Sequence, residues 1–546
     1  MPDAKKQNYL HGASILAVGV IVMKILGAIY KIPIGNLLGD EGNAYFLAAY
    51  NVYNVFLTVA TAGFPVVLSR LIAEAITQNR PMQVRRTFHV ALMTFLVLGI
   101  VSALIMYFFP VELAAMLSRP EAAQSIQVLA PGIFLVCLAS AYRGYCQGHE
   151  NMVPTTIGQV LEVLVKVIVG LALAWYLLRA GRSLPIASAG TIFGVTAGGL
   201  AMFIYMFTYK TRHYKNKPVA NPDVPDSRWK IFKSLVRIGL PITVGASSLV
   251  LINFIDTMII NNRLQTAAGF SDTDSAVLYG VFGKAQTLYN LPASFITALT
   301  ISIVPAIAAA MVLKKGIEAS RIAENSLRIA AVVALPMGVG LTVLANPIMN
   351  TVYTDSHASG AAILALFGIP SFFVCMALVM NSILQAHGNE RCTIYSMVAG
   401  GLVKIAVNWV LVGNPDVNIL GAPIGTLCCY VVMCGINYFF LCRHMEQRPR
   451  LRLVLLRPLL CSALMGAAAW GVYGLAARLL ASGGELGRLT MLIAMVFAIG
   501  VAAVLYLVLI ILMRAITLED MQLIPKGEKL ARLLHIRSGA EDSADM

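Results

Sequence analysis

The sequence predicts an all-α integral membrane protein of fourteen transmembrane helices, arranged as two parallel-repeat six-helix lobes and two extra C-terminal helices. Three observations predict it. Hydrophobic residues make up 58% of the chain and charged residues 12%, and the mean hydropathy is +0.77, which leaves too little polar surface to coat a soluble globule of 546 residues. Apolar runs near or above the roughly 20 residues that a bilayer requires recur along the whole length. A stretch of the first half also returns in the second. Gln147-Gly148-His149-Glu150-Asn151 comes back as Gln385-Ala386-His387-Gly388-Asn389, and the apolar helices that follow share Thr155 and Thr393, Val160 and Val398, Leu164 and Leu402, Val165 and Val403, Lys166 and Lys404. Identities at matched spacing of this kind signal an internal duplication.

The first run, His11 to Leu38, is too long for the core of a signal peptide, contains Lys24 and Lys31, and is followed by no small-residue cleavage site. It reads as an uncleaved helix broken near Pro33. Runs then follow at Asn43 to Ile76, Thr87 to Phe109, Ser125 to Gln147, Thr155 to Leu178 and Pro185 to Tyr209, completing an N-terminal lobe over residues 1–209. The segment 210–234, with Lys210, Arg212, Lys215, Lys217, Arg228, Lys230, Lys233 and three prolines, reads as a basic cytosolic linker. The C-terminal lobe, 235–446, takes the runs Val236 to Asn261, Ala276 to Met311, Ser326 to Met349, Gly360 to Ala386, Thr393 to Val412 and Asn418 to Leu441. Two more runs, Leu451 to Leu480 and Leu486 to Met513, lie outside the duplication within 447–515. The tail, 516–546, mixes Leu530, Leu533, Leu534 and Ile536 with Lys526, Lys529, Arg532 and Arg537. It suits either an interfacial helix on an anionic leaflet or a last orientation signal.

Loop charges orient the chain. Lys5 and Lys6, the arginines at 80, 85 and 86, the linker, Lys314 with Lys315, Arg443 with Arg448 and Arg450, and the tail share one side. The other side holds Asp40, Glu41, Asp272, Asp274, Asp355, Asp416 and Glu485 against Arg119, Arg182, Arg263 and Arg488. The positive-inside rule then places both termini in the cytosol of a multi-pass plasma-membrane protein. Because the linker returns to the starting side, the two halves have the same topology.

Ionisable groups inside a span are costly and point to function unless they snorkel or pair. The candidates are Lys24, Lys31, Glu162, Lys166, Asp256, Lys284 and Lys404. Glu162 and Lys166, four apart, share a helix face and are suited to neutralise one another. The position matching Glu162 in the second half is Gly400, which leaves Lys404 without that neighbour and makes it the stronger ligand candidate. Asp256 reads as a counter-charge to one of the lysines or as a cation-coupling site. Five lysines against two acids give a cationic interior, which suits an anionic substrate and disfavours a cationic drug. Gly190, Gly194 and Gly198, echoed by Gly421 and Gly425, predict close helix packing. Pro65 and Pro305, at similar points of the second helix of each half, are candidate bending points.

Several functions are excluded. The formal charge of +15 sits mainly in short loops, as orientation signals do, so no nucleic-acid partner is expected. The nine cysteines have no metal-ligand spacing and read as small buried hydrophobes. No zinc-protease, nucleophile-elbow or phosphate-loop motif occurs, and Asp272-x-Asp274 reads as a solvated loop. No catalytic residue, metal or cofactor is expected.

Lys24-Ile25-Leu26-Gly27, Gly39-Asp40-Glu41-Gly42, Ala62-Gly63-Phe64-Pro65, Ser69-Arg70-Leu71-Ile72-Ala73-Glu74-Ala75 and the tail segment Leu523 to Lys529 resemble the polysaccharide-export flippases of the MOP superfamily. Within it the resemblance is to the stage V sporulation protein B group and the lipid II flippase (MurJ) type. It implies a two-lobed, V-shaped carrier that moves an undecaprenyl-pyrophosphate-linked sugar between leaflets, with basic residues on the first, second and eighth helices around a cavity. Lys24 matches the basic residue of the first helix. Lys31 is displaced by about one position, Phe56 stands where the second helix has an arginine, and Lys284 falls on the eighth. The expected substrate is a lipid-linked oligosaccharide, most specifically lipid II for peptidoglycan synthesis, with Lys24, Lys31, Lys284 and Lys404 on its pyrophosphate and transport coupled to membrane potential or a monovalent cation. Membrane lipids are the other expected partners, and no protein partner is legible. A flippase for another lipid-linked polysaccharide, a multidrug or cation antiporter of the same superfamily, and a membrane glycosyltransferase or polymerase are the alternatives. The last would need an acidic or metal site in a sizeable loop, and the loops are short.

Overall fold

The computed structural model of the protein describes residues 29–214, 223–354, 357–480 and 487–513, together with 19, 22, 23, 26, 27 and 515. Lys24, residues 215–222 of the linker, Asp355 and the tail from residue 516 onward lie outside the described residues. Among the described residues every regular element is helical, and eleven helices are long and apolar enough to cross a membrane. Two further helices, Arg228–Thr266 and Asp272–Val312, have 39 and 41 residues and cover the runs expected at Val236 to Asn261 and Ala276 to Met311. The chain forms two compact units, Met1–Gly280 and Val281–Met546.

The first unit contains α1 (29–37), α2 (Gly39–Thr61), α3 (Phe64–Thr77), α4 (Pro81–Phe108), α5 (Pro110–Met116), α6 (Ala123–Gly148), α7 (Val153–Arg179), α8 (Leu184–His213), α9 (Arg228–Thr266) and the start of α10 (Asp272–Val312). Helix α6 is central and packs against α2, α3, α4 and α8. Its core combines Leu68, Ile72, Phe88, Phe95, Tyr142 and Met202. Helix α7 packs on α8 through glycines, as the spacing predicts. A Cβ at Gly194 would lie 2.5 Å from the carbonyl oxygen of Lys166, and one at Gly198 would strike that of Glu162. The small residues therefore let the two backbones touch and fix the height of Glu162 and Lys166 in the unit.

The second unit contains the rest of α10, then α11 (Gly316–Val343), α12 (Ala345–Val352), α13 (Ser359–Ala386), α14 (Glu390–Leu411), α15 (Gly421–His444), α16 (Leu451–Leu480) and α17 (Arg488–Leu512). Helix α13 packs against α11 and α15, α14 lies on α15, and the α16–α17 pair rests on α11. Tyr506 on α17 donates its hydroxyl to the carbonyl of Val332 on α11 at 2.6 Å. Arg488 donates to the carbonyl of Thr351 at 2.9 and 3.0 Å, satisfying a C-terminal carbonyl of α12.

The duplicated stretch makes the same turn twice. In the first copy Glu150 N–H bonds Gln147 O at 3.0 Å and Asn151 N–H bonds Cys146 O at 3.1 Å; in the second, Gly388 bonds Gln385 at 2.9 Å and Asn389 bonds Leu384 at 3.0 Å. This pair of bonds closes a helix through a left-handed residue, with φ of 59° at Glu150 and 76° at Gly388. In each copy the histidine Nδ1 lies 2.9 Å from the carbonyl four residues back, Tyr145 or Ile383. A carbonyl only accepts, so that nitrogen carries the proton. Among the described residues only the first copy is walled by aromatic rings. His149 lies 4.4 Å from the ring of Tyr145 and 4.7 Å from that of Tyr214, and burial holds its pKa below the ordinary histidine value. The unfolded chain therefore binds this proton first as pH falls below about 6.5, and stability drops from there downward. The expected result is a thermal midpoint that declines between pH 7 and 5.5, with a shallower decline in His149→Gln. An identical slope in the variant removes His149 from the account.

Four expectations change. The helix runs through Pro33, and the chain turns instead at Leu38 and Gly39, where φ is +70°. Glycine accepts that conformation without steric cost. The span 39–77 is interrupted as Pro65 predicts, but the break lies just before the proline. The chain breaks at Ala62–Gly63, Pro65 lies in the first turn of α3, and Gly63 sits against the backbone of Gly239 on α9, where a Cβ would not fit. Helix α10 passes position 305 unbroken. Arg119, counted from the sequence among the loop charges of the outer side, is 1% exposed. It donates to Asp272 O at 3.0 Å, Ser275 Oγ at 2.9 Å and Asn261 Oδ1 at 3.0 Å, and so locks the loop before α6 onto the α9–α10 hairpin.

Candidate functional site

Lys166 projects from α7 into a set of tyrosines. Its Nζ lies 3.4 Å from the hydroxyl of Tyr50, 4.9 Å from the centroid of that ring and 5.1 Å from the ring of Tyr30. Tyr30 is fixed by donating to Thr191 O on α8 at 3.0 Å. Phe46, Tyr50 and Tyr53 repeat at helical spacing on α2, and their successive centroids are 5.9 and 6.0 Å apart. An ammonium over aromatic faces is stabilised by the ring quadrupole and keeps N–H donors directed outward. Lys31 lies within electrostatic reach of Tyr50.

Glu162, one turn before Lys166, interacts electrostatically with both Lys166 and Arg143 of α6. Arg143 is half-buried, and its Nε is buried without a hydrogen-bond partner. Two helices thus bring Arg143, Lys166 and one carboxylate, Glu162, into one cluster whose cations exceed its carboxylate, with Lys31 of α1 acting on the same Tyr50. Such a cluster is suited to a compact multivalent anion, because a guanidinium presents a planar fork of donors and lysine a movable point charge.

Asp256 lies among groups that join α2, α9 and α10. It is 4% exposed and interacts electrostatically with Tyr279. Asn51 on α2 donates to Thr257 Oγ1 and to Tyr279 Oη, both at 3.1 Å. Asn43 donates to Gly280 O at 2.9 Å. These bonds fasten α2 to α9 and to the start of α10.

In the second unit Lys284 is 1% exposed, with its Nζ 5.2 Å from the ring centroid of Tyr353. Tyr353 in turn donates to Lys284 O at 3.3 Å. Lys404 on α14 is 7% exposed and interacts electrostatically with Tyr430 of α15. Both duplicated lysines, Lys166 and Lys404, thus have tyrosine neighbours on an adjacent helix.

Of the sequence candidates, the structure brings Lys31, Glu162 and Lys166 together, places Asp256 in the α2–α9–α10 network, and sets Lys284 and Lys404 in the second unit. Lys24 lies outside the described residues. Sequence reasoning missed Arg143 and the tyrosines. Arg143 stands near the end of its run, where a long cation is ordinarily read as reaching the interface. The signal for the tyrosines was present as the i, i+4, i+7 spacing of Phe46, Tyr50 and Tyr53.

The lipid II flippase MurJ of Bacillus subtilis (strain 168) is 24% identical over 479 residues, covering 84% of this chain and 87% of that protein. Stage V sporulation protein B of the same organism is 28% identical over 433 residues, 77% of this chain and 80% of the relative. Among solved structures, that of lipid II flippase MurJ in an inward closed conformation superposes with a TM-score of 0.67 at 13% identity, covering 91% of this chain and 98% of the other, a likeness of fold. The model of the family described as "Polysaccharide biosynthesis protein" matches residues 9–311, more than half of the chain, and this multi-pass membrane protein belongs to that family.

Proposed function

We propose that the protein is a flippase that moves an undecaprenyl-pyrophosphate-linked sugar, lipid II for peptidoglycan synthesis, from the inner to the outer leaflet of a bacterial plasma membrane by alternating access. The observation that carries this reading is the Arg143–Glu162–Lys166 cluster. Its cations exceed its carboxylate, and the Lys166 ammonium lies over two tyrosine rings as well as near Glu162, so the cluster is suited to a pyrophosphate. Lys24, Lys31, Lys284 and Lys404 complete the set of proposed pyrophosphate contacts, with Asp256 and Glu162 as counter-charges or coupling groups. The names of the relatives support the substrate class. An apolar groove of about 470 Å³, with Leu291, Pro336, Met465, Ile499 and Leu507 among its lining residues, supports a place for the prenyl chain against the extra helices α16 and α17. Such a flippase has fourteen spans in six-plus-six-plus-two order with both termini cytosolic. It requires no cofactor.

Moving about two negative charges outward is assisted by an inside-negative potential at about 2.3 kcal/mol per charge per 100 mV. The test is a reconstituted flipping assay that compares labelled lipid II with another prenyl-pyrophosphate sugar and with an organic cation. Lipid II is expected to move, and to move faster when its starting side is negative. Equal rates at zero and imposed potential would remove the coupling. Movement of the other sugar alone would reassign the substrate, and movement of the cation alone would sink the flippase reading.

A further inference from the structure

A groove of about 1030 Å³ opens in the first unit between α4 and α9, lined by none of the cluster residues described above. Met93, Val97, Phe232 and Val236 are among its apolar wall residues, while Arg85, Arg86, His89 and Arg228 form its basic mouth. From Arg85 to Val97 the wall runs about 18 Å along α4 at 1.5 Å per residue. One leaflet of a hydrocarbon core roughly 30 Å thick is about 15 Å deep. The groove is therefore about as long as one leaflet is deep, with cations at one end and apolar side chains along its length.

The mouth is a built structure. Asp223 accepts from the backbone N–H groups of Met82 at 2.6 Å and Gln83 at 3.1 Å, capping α4 from a distant segment, and pairs with Arg80 at 3.6 Å. Gln83 accepts from Asp226 N–H at 2.7 Å. Arg86 donates to the carbonyls of Pro225 and Asp226, both at 3.2 Å. The carboxylates beside the mouth are thus committed: Asp223 to the helix terminus and Arg80, and Asp226 to Lys230 at 3.0 Å. One nitrogen of Arg86 is anchored on backbone oxygens, and a guanidinium carries five N–H donors. Arg228 and Trp229 are exposed at the opposite lip, Trp229 at 70%. Tryptophan in that position marks the headgroup level of a bilayer.

We propose that this groove holds one anionic membrane phospholipid, its phosphate at Arg85, Arg86 and Arg228 and an acyl chain between α4 and α9. Charge complementarity selects this occupant. A zwitterionic lipid brings the same chain without the net charge, and free phosphate brings no chain to fill the apolar wall. The chain's own tail carries Lys526, Lys529, Arg532 and Arg537, of the same sign as the mouth. Since residues 223–227 lead directly into α9, an occupied groove ties the start of α9 to α4.

Trp229 supplies a local probe. The full-length triple variant W175F/W409F/W470F retains it as the one tryptophan of the four and is reconstituted in phosphatidylcholine vesicles. Small mole fractions of chain-brominated phosphatidylglycerol or chain-brominated phosphatidylcholine are then added. Fluorescence quenching is expected to saturate at lower mole fraction with the anionic lipid. Arg228→Gln is expected to weaken that preference roughly fivefold, R85Q/R86Q/R228Q to erase it, and Val97→Phe to reduce quenching by occupying the wall. Millimolar glycerol 3-phosphate is expected to leave quenching intact. Equal quenching by the two lipids in the otherwise unmodified protein, a preference untouched by Arg228→Gln, or displacement by free glycerol 3-phosphate would each overturn the assignment.

Discussion

Lys166→Met is expected to slow movement of a pyrophosphate-linked lipid by about 10- to 100-fold, the equivalent of the 1.5–3 kcal/mol carried by a charge-assisted hydrogen bond, while the protein still folds. Folding survives because Glu162 keeps Arg143 as its cation when Lys166 is gone. Arg143→Met leaves Lys166 beside Glu162 and is tolerated for the same reason. The double variant R143M/K166M leaves the half-buried Glu162 carboxylate without either cation, and an uncompensated charge partly removed from water is destabilising, so less folded protein is expected. Adding Glu162→Gln to the double variant restores folding but not transport. Thermal stability and flipping rate measured across this series separate the two roles of the cluster. Lys166→Met at the wild-type rate in a stable protein would show that this lysine does not meet the substrate.

Gly198→Leu is expected to loosen the α7–α8 contact. A Cβ there strikes the carbonyl oxygen of Glu162, a backbone atom that no side-chain rotation can move, so α7 must retreat from α8. Overpacking of this kind costs about 1–3 kcal/mol or more. It also displaces Glu162 and Lys166 relative to Tyr30, which is bonded to α8 through Thr191. Lower thermal stability and slower flipping should therefore appear together. Gly471→Ala is the control, because a Cβ there meets nothing within 4 Å and alanine is the better helix former by up to about 1 kcal/mol. Equal stability of Gly198→Leu and Gly471→Ala would show that the α7–α8 contact is looser than described.

Much of the fold was legible because the bilayer constrains it. Every buried backbone group has to be satisfied within its own segment, so long apolar runs become helices. The duplicated Gln-x-His-x-Asn stretch was legible for a local reason: its turn is closed by backbone bonds between neighbours in the chain. Arg119 was misread because its acceptors on α9 and α10 are remote in sequence. A loop arginine that stays in water and one that threads between helices carry the same letter. Arg143 was passed over similarly, since its relation to Glu162 requires α6 and α7 to lie side by side.

By itself the sequence determined the helical membrane class, the repeated Gln-x-His-x-Asn turn and the glycine-matched helix pair, because hydropathy, periodicity and residue size act over a few turns of chain. Only the tertiary structure decided which charges meet: Arg143 with Glu162 and Lys166, Asp256 with Tyr279 where α2, α9 and α10 join, and Arg119 in a structural lock. Coulomb interactions and hydrogen bonds depend on distance in space, and the packing of α2, α6, α7 and α8 sets those distances.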